Sequence, residues 1–140
     1  MRILTQSPEE TEKLGGRGRA VLRGGEVLAL FGPMGMGKTA FTRGIAKGLG
    51  VKEGVSSPTF ALVHEYAGRI PIYHFDMFRV TSWDDLYSTG FFDYLETEGI
   101  LVIEWSENIE GALPETAIRI GISPGKEENQ RIFEIEGIEI

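Results

Sequence analysis

The sequence predicts a three-layer α/β domain with a mostly parallel sheet, and three features of the chain support this class. Two apolar runs, VLALF at 27–31 and GILVIEW at 99–105, suit buried strands of a parallel sheet. Between them, apolar residues recur at helical spacing. Near the C-terminus, AIRIGIS and RIFEIEGIEI alternate apolar and polar residues, as half-buried strands do. We expect residues 1–140 to form one domain of this class.

The first predicted element is a helix that begins at the stretch SPEE. Ser7 is a capping residue, Pro8 suits the first helical position, and Glu10 stands three residues after the cap. We expect this helix to run through Leu14 toward Leu22, although the glycines between them weaken it.

The remaining elements follow from spacing and from turn residues. Phe41, Ile45 and Leu49 predict a helix over 38–49. FALVHEY and IPIYHFD flank AGR and predict a β-hairpin, whose second strand should begin at a sheet edge because of Pro71. SWDDLYSTGFFDYLE predicts one or two short helices capped at Ser82. We therefore expect an antiparallel hairpin and C-terminal strands beside the parallel strands.

Composition and charge restrict the possible functions. With 14 basic and 21 acidic residues the net charge is −7, so no global positive field attracts nucleic acid and any anion must be bound locally. The chain has no cysteine, which excludes disulfides and thiolate metal clusters and fits a reducing compartment. We find neither an apolar secretion signal nor a run approaching about 20 apolar residues. We expect a cytoplasmic protein without a membrane segment.

The stretch GPMGMGKT at 32–39 joins the first apolar strand to the following helix. It satisfies the pattern G-x-x-x-x-G-K-[ST] in the strand-to-helix context that the pattern requires. Glycines let successive backbone N–H groups approach phosphate oxygens, and the helix N-terminus favours the same anion. The lysine supplies a charge for the terminal phosphates and the threonine hydroxyl a ligand for Mg²⁺. The predicted nucleotide-binding residues are Gly32, Pro33, Met34, Gly35, Met36, Gly37, Lys38 and Thr39.

Two acidic residues end predicted strands. Asp76 closes IPIYHFD and Glu104 closes GILVIE, and ligands of open α/β sheets bind at the carboxyl ends of strands. Either could hold Mg²⁺, while the other could orient or deprotonate an attacking water; each could also be a solvated carboxylate. From the residues alone, Trp105 fits a core aromatic. Two histidines without cysteine fall short of a usual zinc site.

The stretch SSPTF at 56–60 carries hydroxyls beside a proline. This composition suits a loop that closes over a γ-phosphate, and it suits an ordinary turn equally well.

Four stretches together resemble the TsaE (YjeE) family of small P-loop ATPases, which are required for threonylcarbamoyladenosine modification of bacterial tRNA. These stretches are GPMGMGKTAFTRGIAKGLG, VSSPTFALVHEY, IYHFDMFR and LVIEWSE, and the resemblance covers about residues 7–114. It implies a P-loop NTPase domain in which Lys38 and Thr39 bind ATP and Mg²⁺. It further implies that Glu104 contacts the metal, while Asp76 acts in catalysis or touches the metal through water.

The same resemblance implies further residues and partners. Thr11 and Trp105 would lie near the nucleotide. The family typically has an acidic residue after the first loop glycine, where this chain has Pro33, so the role of that acid is not transferred. The implied partners are the TsaD and TsaB proteins, with TsaD acting on tRNA and this chain reaching tRNA only through the complex. The implied switch loop consists of Ser57, Pro58, Thr59 and Phe60.

Three other functions would require features different from those of an ATPase. A GTPase would carry an N-K-x-D motif and a D-x-x-G motif, and neither occurs, since Asp76 is followed by MFR. A small-molecule kinase normally needs an arginine-bearing lid and an acceptor site. A nonenzymatic nucleotide sensor would need the loop without a catalytic carboxylate. Because the chain shows no evident lid, we expect slow hydrolysis alone and faster hydrolysis with partners.

Overall fold

Seven strands in the described part of the chain join in one mixed sheet. The structure is a computed structural model that describes residues 1–33, 37–52, 54 and 63–140. In chain order the elements are β1 (Arg2–Thr5), α1 (Pro8–Gly16), a 3₁₀ turn (Arg17–Ala20), β2 (Val27–Phe31), α2 (Lys38–Gly48), β3 (Val63–Tyr66), β4 (Ile72–Asp76), α3 (Trp83–Ser88), α4 (Phe91–Tyr94), β5 (Ile100–Glu104), a 3₁₀ segment (Ser106–Ala112), β6 (Ile118–Pro124) and β7 (Arg131–Glu136).

The strand order is β1-β7-β6-β2-β5-β4-β3, with a parallel centre. β2 pairs in parallel with both β5 and β6, and β5 pairs in parallel with β4. The outer pairs β1–β7, β6–β7 and β3–β4 are antiparallel. The predicted α/β class, with parallel strands, an antiparallel hairpin and C-terminal strands, is therefore confirmed, and three of the six strand pairings in the described part of the chain are parallel.

Helices cover both faces of the sheet and give three layers. One face, which we call the two-helix face, packs α1 and α2 against alternate residues of the central strands, such as Leu28, Leu30 and Val102. The other face, which we call the aromatic face, packs α3, α4 and the 3₁₀ segment against Phe75, Leu101 and other strand residues whose side chains lie on that side of the sheet. Because both faces are covered, the central strands are continuous apolar runs, as the sequence predicted.

On the two-helix face, α1 and α2 touch backbone to backbone. A Cβ at Gly44 would lie 1.9 Å from the carbonyl oxygen of Glu12, and one at Gly15 would lie 2.2 Å from that of Phe41. No side chain fits at either position. The glycines that weaken α1 as an isolated helix therefore allow α2 to approach it closely.

Two sequence expectations need correction, and one strand was not predicted. α1 ends at Gly16 and continues only as the 3₁₀ turn Arg17–Ala20, because successive glycines favour the helix too weakly to carry it to Leu22. β4 is an interior strand and not an edge strand, since Pro71 precedes it and contributes only its carbonyl, which accepts from Ile100 N at 2.8 Å. The edge strand β1 was not predicted, because four residues are too few for a reliable pattern.

The other predicted elements are found. α2 covers Lys38–Gly48, Ser82 caps α3 by accepting from Asp85 N, and α4 is the second short helix. Each helix in the described part of the chain is too short or too polar to cross a membrane.

Candidate functional site

The described part of the phosphate loop depends on two glycines with positive φ. Gly32 follows β2 with φ +142°, and a Cβ there would lie 2.5 Å from the carbonyl oxygen of Ile122 on β6. Gly37 has φ +92° and immediately precedes α2. Both conformations are unfavourable for residues with a Cβ. Pro33 between them is exposed, while the predicted nucleotide-binding residues Met34, Gly35 and Met36 lie outside the described residues.

Lys38 is a buried cation at the N-terminus of α2. Its Nζ donates to the carbonyl oxygen of Gly32 at 2.9 Å and lies 4.3 Å from the centroid of the Trp105 ring. The residue is only 4% exposed, and burial lowers the pKa of its ammonium, while Glu104, Glu107 and Asp76 act in the opposite direction. A bound polyphosphate would bring further negative charge to this cation and to the amides of the helix N-terminus.

The two predicted carboxylates lie side by side at the carboxyl ends of neighbouring strands. Asp76 of β4 and Glu104 of β5 are register partners, so their side chains lie on the same face. Asp76 Oδ1 accepts from Phe78 N at 2.9 Å. Glu104 is 5% exposed, and its Oε2 lies 2.6 Å from Nε2 of the fully buried His74. The fold thus brings Lys38, Asp76 and Glu104 together from three separate elements.

Trp105 has a backbone conformation that is unfavourable for a bulky side chain. Its φ of +60° and ψ of +41° place it in the left-handed region, and among the described non-glycine residues it is alone in this. Such outliers cost about 1–3 kcal/mol and cluster at functional sites. The turn carries the indole from the end of β5 to the Lys38 ammonium, and the ring also packs against the core of the aromatic face.

The donor set at this end of the sheet fits Mg²⁺. Thr39 lies in the first turn of α2, and Glu104 and Asp76 supply carboxylate oxygens, the hard ligands that Mg²⁺ prefers. The described residues hold no cluster of three or more histidines, cysteines, aspartates or glutamates suited to a metal. Mg²⁺ in nucleotide sites commonly needs just one or two protein carboxylates, because phosphate oxygens and water complete its shell.

Thr11 lies beside the end of the phosphate loop. It is 1% exposed, its Oγ1 shares a 2.8 Å hydrogen bond with Oγ1 of Thr5, and its Cγ2 would lie 3.7 Å from a Cβ at Gly37. α1 therefore brings Thr11 to the loop, and its proximity to a nucleotide stays a prediction. The predicted switch-loop residues Ser57, Pro58, Thr59 and Phe60 lie outside the described residues.

The structure adds three residues to the site that the sequence analysis did not predict there. Glu107 Oε2 accepts from Gly32 N at 3.1 Å, His74 contacts Glu104, and the Phe78 ring lies 5.0 Å from that of Trp105. A sequence signal existed only for His74, which shares a strand face with Asp76 because the two are two residues apart. The two histidines without cysteine fall short of a usual zinc site, and no carboxylate partner of His74 was predicted.

Comparison with known proteins decides the family. The family model described as "Threonylcarbamoyl adenosine biosynthesis protein TsaE" matches residues 5–133. The chain belongs to the TsaE family. The match extends beyond the four stretches on which the sequence resemblance was based and includes β6 and the start of β7.

Individual TsaE relatives cover most of the chain. A tRNA threonylcarbamoyladenosine biosynthesis protein TsaE of Treponema pallidum is 36% identical and covers 94% of this chain and 98% of its own length. The Bacillus subtilis protein of that name is 37% identical over 91% of this chain and 80% of its own. The crystal structure of Bacillus subtilis YdiB superposes with a TM-score of 0.79 at 33% identity, covering 95% of this chain and 82% of that chain.

Proposed function

We propose that this TsaE-family chain binds ATP with Mg²⁺ and hydrolyses it as the ATPase component of tRNA threonylcarbamoyladenosine biosynthesis. The observation that carries the proposal is the buried Lys38 ammonium, held by the Gly32 carbonyl and the Trp105 ring and influenced by three acidic side chains. Such a centre at a loop-to-helix junction suits a triphosphate and its metal. We further propose that residues 1–140 act as one domain.

Each residue of the centre then has a distinct role. The loop amides and Lys38 bind the β- and γ-phosphates, and the N-terminus of α2 adds its partial positive charge. Thr39 and Glu104 would hold Mg²⁺, which when bound neutralises charge on the phosphate oxygens. Asp76, beside Glu104 in the sheet, orients the attacking water or accepts its proton. Trp105 restrains the Lys38 side chain through contact with its ammonium.

The proposed partners are the TsaD and TsaB proteins in the cytoplasm. Two observations support an indirect relation to tRNA: the names of the relatives place them in a tRNA modification pathway, and the net charge of −7 disfavours direct binding of an extended polyanion. We propose slow turnover by the isolated chain and faster turnover in the complex, with the predicted switch loop at 57–60 closing over the γ-phosphate.

Thermal unfolding with different nucleotides tests the binding step. A ligand that binds only the folded chain raises its melting temperature, so ATP with Mg²⁺ should stabilise the protein more than GTP with Mg²⁺. Lys38→Ala should abolish the ATP shift. Preference for GTP, or an undiminished shift in the variant, would refute the proposal.

Turnover measurements test the catalytic step separately. ATP hydrolysis should rise when TsaD and TsaB are added, and Asp76→Asn should lose turnover while it still binds ATP. Unchanged turnover in Asp76→Asn would remove Asp76 from catalysis. Binding without any hydrolysis, even with both partners present, would favour a nonenzymatic nucleotide sensor.

A further inference from the structure

Glu104, the proposed metal ligand, is held by a buried histidine of the neighbouring strand. His74 Nε2 lies 2.6 Å from Glu104 Oε2, and the two residues are 0% and 5% exposed. An ionised carboxylate only accepts hydrogen bonds, so the imidazole donates from Nε2. The short distance is typical of a charge-assisted bond.

The sheet determines the position of this donor. In the parallel β4–β5 pair, Asp76 is opposite Glu104 and His74 is opposite Val102. His74 and Asp76 are two residues apart on β4, so both face the same side as Glu104. The imidazole therefore approaches the Glu104 carboxylate from the neighbouring strand, on the side away from the strand ends.

A packing role alone does not account for His74. Its second ring nitrogen, Nδ1, has no hydrogen-bond partner among the described residues, and the Tyr66 ring lies at 6.5 Å between centroids. Burying a polar nitrogen without a partner costs free energy that an apolar side chain of similar size would avoid. The feature that an apolar residue cannot supply is the Nε2–H group directed at Glu104.

We propose that His74 is a positioning residue that fixes the Glu104 carboxylate in the orientation needed for Mg²⁺. The inference rests on the proposed function, because that function assigns Glu104 to the metal. A hydrogen bond to a ligating carboxylate holds one rotamer before the metal binds, and removal of such partners lowers metal affinity about 10–100-fold in other sites. His74 acts on the metal through Glu104.

Two substitutions that each introduce a side-chain amide distinguish the effect of the hydrogen bond on metal binding from the effects of packing and polarity. The Gln side-chain nitrogen of His74→Gln can reach the position of Nε2, whereas the shorter Asn of His74→Asn reaches only that of Nδ1. The readout is Mn²⁺ binding in the presence of ADP, measured by electron paramagnetic resonance of free Mn²⁺, which requires no turnover. We expect His74→Asn to weaken Mn²⁺ binding about tenfold and His74→Gln by less than about threefold.

Two controls make the result specific. His64, the register partner of His74 on β3, bonds to the Tyr66 hydroxyl at 3.1 Å, so His64→Asn should leave Mn²⁺ affinity unchanged. If His74 acts only through Glu104, adding His74→Asn to Glu104→Gln should cause no further loss. ADP affinity without metal, measured calorimetrically, should be the same in wild type and His74→Asn, which also shows that the variant is folded.

The outcomes distinguish this inference from the proposed function. If wild type fails to bind Mn²⁺–ADP, the proposed function fails. If wild type binds it and folded His74→Asn binds it equally well, the inference alone is wrong. Equal losses in His74→Asn and His74→Gln, or a further loss in the Glu104→Gln background, would likewise overturn it, because the effect would then not depend on the Nε2 hydrogen bond to Glu104.

Discussion

The two faces of the sheet are built in different ways. The two-helix face packs α1 and α2 so closely that the backbone at Gly15 and Gly44 leaves no room for a Cβ. The aromatic face carries the short helices α3 and α4, with rings that remain partly in solvent: Trp83 is 57% exposed and Tyr87 is 66% exposed. One face brings its two helices into backbone contact at these glycines, whereas the other packs two short helices through aromatic side chains.

This difference bears on the site, because Lys38 and Thr39 begin α2, while the Phe78 and Trp105 rings make a tilted contact near the aromatic face. Helices in backbone contact have little freedom to shift, since any movement creates clashes or voids. α2, the helix proposed to bind phosphate, is therefore held rigidly against α1. The exposed rings of Trp83 and Tyr87 on the aromatic face leave apolar surface in solvent.

The largest expected effect comes from adding one methyl group on the two-helix face. In Gly44→Ala the new Cβ would lie 1.9 Å from the Glu12 carbonyl oxygen, so α1 and α2 must separate. We expect the free energy of unfolding to fall by about 3 kcal/mol in urea denaturation. The control is Gly16→Ala, whose Cβ meets its nearest atom at 3.6 Å and should be neutral or stabilising by up to about 1 kcal/mol. If both variants lost the same free energy of unfolding, the close contact between Gly44 and the Glu12 carbonyl oxygen would not be the cause.

On the aromatic face, two residues of α3 should differ in how much they contribute to the free energy of unfolding, because one is buried and the other is mostly exposed. Leu86 is 3% exposed, and Leu86→Ala should cost about 2 kcal/mol because it leaves a cavity against the sheet. Trp83→Ala removes a larger side chain that is mostly in solvent, and it should cost less than about 1 kcal/mol. Urea denaturation of both variants measures this. A costlier Trp83→Ala would mean that the exposed rings carry the stability of this face.

The next prediction concerns Lys38, at the N-terminus of α2. Its side chain should contribute to nucleotide binding without raising the free energy of unfolding. Burial lowers the pKa of the Lys38 ammonium, so its charge is disfavoured in the folded chain relative to the unfolded chain. Lys38→Met should leave the free energy of unfolding without nucleotide unchanged or raise it by up to about 1 kcal/mol. Chemical denaturation without nucleotide gives this value. A clear loss of stability would show that the bond to Gly32 and the Trp105 contact outweigh the burial of charge.

The smallest effect concerns a hydrogen bond at the rim of the aromatic face. The Tyr94 hydroxyl donates to Glu65 Oε1 at 2.6 Å, and this carboxylate raises the pKa of Tyr94 from 10.0 to about 12. Because the folded-state pKa is higher, the stabilisation is present below about pH 10 and is lost as pH rises toward about 12. Tyr94→Phe should cost about 0.5 kcal/mol at about pH 8, and less at about pH 11, in urea denaturation. Tyr87→Phe, which changes an exposed tyrosine of α3, should show neither change.

Much of the local structure could be predicted because it depends on residues near in sequence. The Ser82 cap and the Phe41, Ile45 and Leu49 spacing each involve residues within one or two helical turns, and α3 and α2 form where they predict. The placement of β4 at an edge failed because it required knowledge of which strands lie on either side of it. A proline just before a strand is compatible with an interior position, and only the arrangement of β5 and β3 around it decides.

By itself, the sequence determined the class of the fold and the chemistry available to the site: the glycine-rich loop with Lys38 and Thr39, and acidic residues where strands end. The tertiary structure decided which groups meet. The His74–Glu104 bond joins residues 30 apart in sequence, and the Glu107–Gly32 bond joins residues 75 apart. Such contacts follow from strand order and register, which depend on packing across the whole sheet and not on any local pattern.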